Sequence, residues 1–288
     1  MKFRLVTVPK EDRPAIQPRL FALPQAKNMP RYWMDDNAAT THFMNSLSCI
    51  FPGGERFFVR SVLEHLSEIG DERLKMEARQ FCGQEAIHGQ QHEALNQWGS
   101  SQGWDLEGRA KFDEDQVIRV LGRLPKRRRL AATVALEHLT AVIGNAFLSC
   151  PEVLEAVHPE VRTLWVWHAI EVIEHKAVAH EVFYAVGGKD SERYQALISC
   201  SIGLAMGVTR HTLGLMKRDG KLWDLRSYRR LFRLIKKSGF AGRVWQGYKD
   251  FFRHDFHPWQ TDDRSLLTRF LPDLNKYLPS RRELKEVV

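Results

Sequence analysis

Cysteine is scarce in this chain of 288 residues, with four in all. Cys49, Cys82, Cys150 and Cys200 stand far apart and form no CxxC pair, which argues against a thiolate zinc knuckle, a thioredoxin-type motif and a disulfide scaffold. Free thiols point to a reducing cytoplasm. Runs of alternating β-branched residues are missing as well, so nothing reads as a sheet. The first residues, MKFRLVTVPKEDRP, carry no continuous apolar stretch, and no signal peptide is expected from them. Ala196 to Val208 is apolar but too short for a membrane span, and its Gly203 and Gly207 suggest a buried helix in close helix–helix contact. No short-period repeat is present. With 43% hydrophobic and 27% charged residues, the chain has an ordinary globular composition and a formal net charge of +8. Histidine is the unusual abundance, 12 residues against 4 cysteines.

Punctuation by Gly and Pro divides the chain into long segments of helical periodicity, so the expected class is all-α. Pro9, Pro14, Pro18, Pro24 and Pro30 mark residues 1–50 as an irregular N-terminal wrap. A helical bundle follows over 51–217, then a basic helical extension over 218–288 packed on it, one domain overall. Helices are expected near 55–69, 71–98, 113–122, 125–150, 159–187 and 192–217, with basic helical segments over 224–253.

Inward stripes on packed helices repeat in alternating steps of three and four. The second helix gives Leu74, Ala78, Phe81, Glu85, His88, His92, Leu95, with polar residues in the middle of an apolar stripe. The 159–187 segment gives Leu164, His168, Glu171, His175, Val178, Val182, Ala185, again polar at its centre. Glu137 interrupts the stripe Leu130, Val134, Ala141, Gly144, Leu148, and Glu55 begins the stripe of the first helix. His65 and His138 point away from these stripes and are expected to be structural.

Four helices thus each turn a carboxylate inward. Isolated buried carboxylates are costly and mutually repulsive, and a pair of divalent cations removes the conflict. Dimetal carboxylate bundles use single Glu residues from two helices and Glu-x-x-His from the other two. Glu85-Ala86-Ile87-His88 is that motif, with Glu55 and Glu137 as the single carboxylates. The 159–187 segment departs from it: His168, Glu171 and His175 share a face, and either His168 or Glu174 completes the set. His92 is a ligand or a hydrogen-bond partner of one. Mixed carboxylate and imidazole donors suit two iron ions, with Mn/Fe, Mn or Zn as alternatives. Phe58, Phe81, Trp165 and Trp167 are available to line a pocket.

Phe-Pro-Gly-Gly-Glu-Arg-Phe-Phe (51–58), Gln-Glu-Ala-Ile-His (84–88), Leu-Glu-His-Leu-Thr-Ala (136–141), Trp-His-Ala-Ile-Glu-Val-Ile-Glu-His-Lys (167–176) and Phe-His-Pro-Trp-Gln-Thr-Asp (256–262) together resemble the bacterial "predicted metal-dependent hydrolase" family. The resemblance runs from about residue 35 to 265 and implies a ferritin-like fold. The ligand order is also similar to that of diiron arylamine N-oxygenases and related haem-oxygenase-like diiron proteins. The matching residues are Glu55, Glu85, His88, Glu137, His168, Glu171 and His175, with the last helix spaced 3 then 4 where those enzymes have 4 then 3. These likenesses imply a non-haem diiron oxygenase or oxidase acting on a small organic substrate, an aromatic amine among the candidates, with O2 as co-substrate. A dinuclear hydrolase is the alternative, and non-catalytic metal binding or storage a third reading. The electron donor is not identified, and a homodimer is the candidate assembly.

The positive charge is local. Residues 217–253 hold 12 Lys and Arg against 3 Asp and Glu, interleaved with apolar residues. This amphipathic stretch is a candidate membrane-surface contact. No nucleic-acid module accompanies it. The 256–262 motif is expected to fold back on the bundle or to line access to it.

Overall fold

A computed structural model describes residues 7–20 and 29–274 of the chain, so Pro24 and residues 275–288 lie outside the description. Most of the described residues are helical, with no strand among them. The elements in order are α1 (Ala38–Leu63), α2 (Glu72–Ser101), α3 (Leu106–Val120), α4 (Lys126–Ser149), α5 (Pro151–Glu155), α6 (Pro159–His175), α7 (Val178–Ala185), α8 (Asp190–Arg218), α9 (Leu225–Lys237), α10 (Phe240–Asp250) and α11 (Arg264–Leu274). α1, α2, α4 and the α6–α7 pair surround the centre of the molecule. α8 packs on α1 and α4, α9 on α1, α10 on α4, and α11 on α6. α4 is long and apolar enough to cross a membrane by length and composition, but most of that apolar surface is spent on the core.

The first helix differs most from the sequence expectation. It starts at Ala38, not after the Phe-Pro-Gly-Gly segment, because Asn37 caps it by accepting from Thr40 N at 3.0 Å. Pro52 therefore lies inside α1. Having no N–H, it cannot serve the Ser48 carbonyl four residues back. The Asn96 side-chain amide on α2 fills that gap, donating to Ser48 O at 2.9 Å. Gly89 lets α2 approach at this level: a Cβ there would lie 3.2 Å from Glu55 Oε2 and 3.8 Å from Pro52 Cα.

The segment expected as one helix over 159–187 divides at Lys176–Ala177 into α6 and α7. There the buried Lys176 ammonium turns to Asp263 (2.5 Å) and the Thr261 carbonyl (2.8 Å), lying over the Trp259 ring. The Ala196–Val208 stretch is not a buried helix. It is the middle of α8, with Leu197, Cys200 and Val208 inward and Ile198, Ile202 and Met206 exposed. The 256–262 motif folds back on the bundle: Trp259 is buried, its carbonyl accepts from Val8 N at 2.9 Å, and His257 Nε2 donates to Glu181 Oε1 at 3.0 Å.

Candidate metal centre

All nine candidate ligands, the eight on the inward stripes and Glu174, are buried, none more than 7% exposed. They fall into two shells. Two groups of donor atoms converge, each within 4.8 Å: Glu55 with His88 and His168, and Glu85 with Glu137 and His175. Glu85 connects the groups, its Oε1 lying 3.5 Å from His88 Nδ1 and 3.1 Å from His175 Nε2. His175 Nε2 is also 3.1 Å from Glu137 Oε2, and His168 Nε2 is 4.0 Å from Glu55 Oε1.

Inward-facing atoms of five of these residues have no hydrogen-bond partner among the described residues: Glu55 Oε1 and Oε2, Glu85 Oε1, His88 Nδ1, Glu137 Oε2 and His175 Nε2. Buried carboxylates and imidazoles are normally paired, so convergent unpaired atoms need an occupant. Their spacing suits a cation. Ligands bonded to one ion at about 2.1 Å in octahedral geometry stand about 3.0 Å apart, close to the 3.1 Å separations around His175 Nε2.

The electrostatics agree. Burial, and then the charge on Glu85, hold the Glu55 carboxyl well above the usual carboxylate range. The same causes push Glu137 up to about 7. Burial would raise Glu85 too, but His175 and His88 beside it bring it down to about 2. Against the effect of burial, Glu171 and Glu85 raise His88 to about 10, and Glu137 and Glu85 raise His175 to about 9. Opposed shifts of this kind mark carboxylates and imidazoles crowded together in a buried space, and two divalent ions would offset the same carboxylate charge.

The outer groups set which imidazole nitrogen faces inward. His88 donates through Nε2 to Glu171 Oε2 (3.0 Å), leaving Nδ1 to the centre. The Gln84 amide is oriented by the Gln17 carbonyl and Glu174 Oε2, which accept from its Nε2 at 3.2 and 2.9 Å. Its Oε1 therefore accepts from His175 Nδ1 (2.9 Å) and leaves Nε2 free to ligate. The third chain begins at Pro52. The Ser48 carbonyl fixes the Asn96 amide, so Asn96 Oδ1 accepts from Ser48 Oγ at 2.9 Å. Ser48 Oγ, its proton committed, accepts from His92 Nδ1 (3.1 Å). Neutral His92 then has only a lone pair at Nε2, which accepts from His168 Nδ1 at 2.8 Å. His168 is left with Nε2 as an acceptor facing Glu55. Burial, then His88, drives His92 down to about 3, consistent with a neutral ring.

Three of the candidates lie outside the two convergent groups. Glu171 joins neither convergent group: besides His88, it takes the Arg19 backbone N–H and guanidinium, both at 3.2 Å. Glu174 also stays outside, in a two-pronged pair with Arg19 at 2.6 and 2.8 Å. His92 is a hydrogen-bond partner of His168, with both nitrogens engaged. His168, not Glu174, stands with the inner group. His65 and His138 lie elsewhere, His138 donating to the Gly247 carbonyl at 2.9 Å and His65 beside Glu68.

Beside the centre is a cavity of about 170 Å³, reached by Glu55, Glu85, Glu137 and His168. Thr40 and Thr140 are the remaining polar side chains on its wall, which is otherwise hydrocarbon, sulfur and aromatic. Phe58 and Trp165 line it, with Phe51 and Phe147. Phe81 and Trp167 do not: each packs edge-on against a histidine, Phe81 on His175 and Trp167 on His88, both with ring centroids 4.8 Å apart.

Sequence reasoning missed Arg19, Ser48, Gln84 and Asn96. Ser48 lies two turns before Glu55 on one helix face, a signal hidden by starting the helix too late. Asn96 follows His92 by one turn, and Gln84 adjoins Glu85. Arg19 has no local signal, since it reaches Glu171 from 152 residues away.

A family model described as "Predicted metal-dependent hydrolase" matches residues 17–262, a span that holds both shells of the centre. Among curated proteins and solved structures nothing matches the chain.

Proposed function

The chain belongs to the predicted metal-dependent hydrolase family, and we propose that it is a non-haem diiron enzyme that uses O2 to oxidise a small apolar substrate. The observation that carries this reading is the apolar cavity against the open side of a mixed Glu/His donor set. Glu55, His88 and His168 form a two-histidine, one-carboxylate set, the donor composition suited to O2-reactive ferrous iron. Glu85, Glu137 and His175 would hold the second ion, and Glu85 stands between the two groups.

Bound iron would supply O2 reduction and substrate oxidation. The protein's own residues hold, orient and exclude. His92, Gln84 and Glu171 keep the three imidazoles in the ligating tautomer. Phe51, Phe58, Phe147 and Trp165 exclude water and accept a hydrocarbon body. A cavity of this size resembles the apolar cavities of about 150 Å³ that hold benzene.

A dinuclear hydrolase is the second reading, favoured by the family description. Against it, the cavity offers only two threonine hydroxyls to clamp an ester or phosphate. Anaerobic loading with Fe(II), then exposure to O2, should produce a transient visible absorption. Absence of any O2-dependent change, with Zn(II)- or Mn(II)-dependent ester cleavage, would establish the hydrolase instead. Slow iron accumulation without turnover would mark a storage protein. Glu137→Ala and His88→Ala should each lower metal stoichiometry sharply, and unchanged stoichiometry in both would refute the centre.

A further inference from the structure

α9 has two faces of different chemistry. Its inner face carries Leu231, Leu234 and Ile235, which form part of the wall of the apolar cavity. Its outer face carries Arg226, Arg229, Arg230, Arg233, Lys236 and Lys237, at helical spacing and all exposed. The helix contains no acidic residue. Arg230 pairs with Asp35, while the other five cations have no carboxylate partner among the described residues. Two apolar side chains flank the cationic face, Leu225 at 60% and Phe232 at 67% exposed, and Trp223 just before the helix is 84% exposed.

Unpaired cations in this number seek an anionic surface. The exposed Trp, Phe and Leu beside them select one that also offers an apolar phase, which a soluble polyanion does not. We propose that α9 is an interfacial helix that docks the protein on an anionic membrane, with Trp223, Leu225 and Phe232 entering the headgroup boundary and the five cations on the lipid phosphates. In this orientation the helix separating the bilayer from the cavity is α9 itself, so an apolar substrate dissolved in lipid lies one helix away from the centre. That last step rests on the function proposed above; the docking does not.

The test is binding of the full-length protein to vesicles of phosphatidylglycerol mixed with phosphatidylcholine, and to vesicles of phosphatidylcholine alone. The mixed vesicles should bind the protein and the neutral ones should not, with binding weakened in about 0.5 M salt as the charges are screened. A basic residue near an anionic surface contributes about a fivefold factor. Arg229→Gln with Arg233→Gln should therefore lower partitioning about 25-fold; both residues are exposed, and unchanged circular dichroism would verify the fold. A second measurement places an environment-sensitive dye on Phe232→Cys, the four native cysteines being buried. Its emission should shift to the blue on anionic vesicles. Equal binding to both vesicle types, no binding, or heparin binding with the dye left in water would each overturn the proposal. Chelator-stripped protein should bind as well as loaded protein. If the diiron reading fails, these results still stand; if docking fails, the O2-dependent absorption is unaffected.

Discussion

Pro52 and Asn96 stand on adjacent helices and are linked through one carbonyl, which makes the outer shell of His168 testable by a double-mutant cycle. Asn96 is 1% exposed and makes two hydrogen bonds to Ser48, one to its carbonyl and one from its hydroxyl. Asn96→Ala leaves the Ser48 carbonyl buried and unserved, at about 1–3 kcal/mol for the orphaned acceptor. The small cavity adds to that, so the total is expected near 3 kcal/mol. The variant also frees the Ser48 hydroxyl. His92 is then no longer held as an acceptor toward His168, and loss of such an outer partner typically weakens metal binding by about 10- to 100-fold. Pro52→Ala restores a backbone N–H four residues after Ser48. In the Pro52→Ala/Asn96→Ala protein that N–H should recover about 1 kcal/mol of stability. It should recover none of the metal affinity, because the hydroxyl remains free. Urea denaturation of the four proteins gives the coupling energy, and competition with a metallochromic chelator gives the affinities. Additive stabilities, or metal affinity unchanged by Asn96→Ala, would refute the relay from Pro52 to His168.

Arg19→Ala should destabilise the protein by about 3–5 kcal/mol in urea denaturation, since it strands the buried Glu171 and Glu174 without their cation; a loss under about 1 kcal/mol would mean that water replaces the guanidinium freely. Fe(II) at a hundredfold excess over its dissociation constant should raise folding stability by about 2.7 kcal/mol per site and chelation should reverse it, as read by calorimetry. Away from the centre, His257 and Arg13 bring the Glu181 carboxyl down to about 2 against its burial. A depressed carboxylate contributes stability that is complete above its unfolded pKa of about 4.3 and is lost as pH falls toward the folded value. Between pH of about 4.5 and 2, Glu181→Gln should therefore lose less stability than the parent, and parallel acid profiles would contradict the assignment.

Much of the centre could be read from helical periodicity because its ligands lie on the core stripes of long helices. Glu85, His88 and Glu137 sit where an alternation of threes and fours places them, and so does His168. Periodicity says which residues point inward, but not how far each reaches. Glu171 and His175 share a face of α6, yet Glu171 is turned to Arg19 and His88 while His175 meets Glu85 and Glu137. That choice is made by Arg19, which arrives from a segment without secondary structure and leaves no periodic trace. The start of α1 was hidden for a different reason. Proline inside a helix normally signals a break, and only a partner on another helix, Asn96, shows why this one continues.

Arg19 also settles a question of charge. Three inner carboxylates, Glu55, Glu85 and Glu137, and two outer ones, Glu171 and Glu174, enclose this buried volume together with the imidazoles and one guanidinium. With the imidazoles neutral as ligands, two divalent cations and Arg19 would match those five carboxylates charge for charge. A cage of this composition would therefore be electroneutral with two divalent ions in it. Any positive charge beyond theirs would lie uncompensated in a region where such charge is costly. No further carboxylate stands in reserve among these residues, so the composition of the cage would select divalent over trivalent occupants.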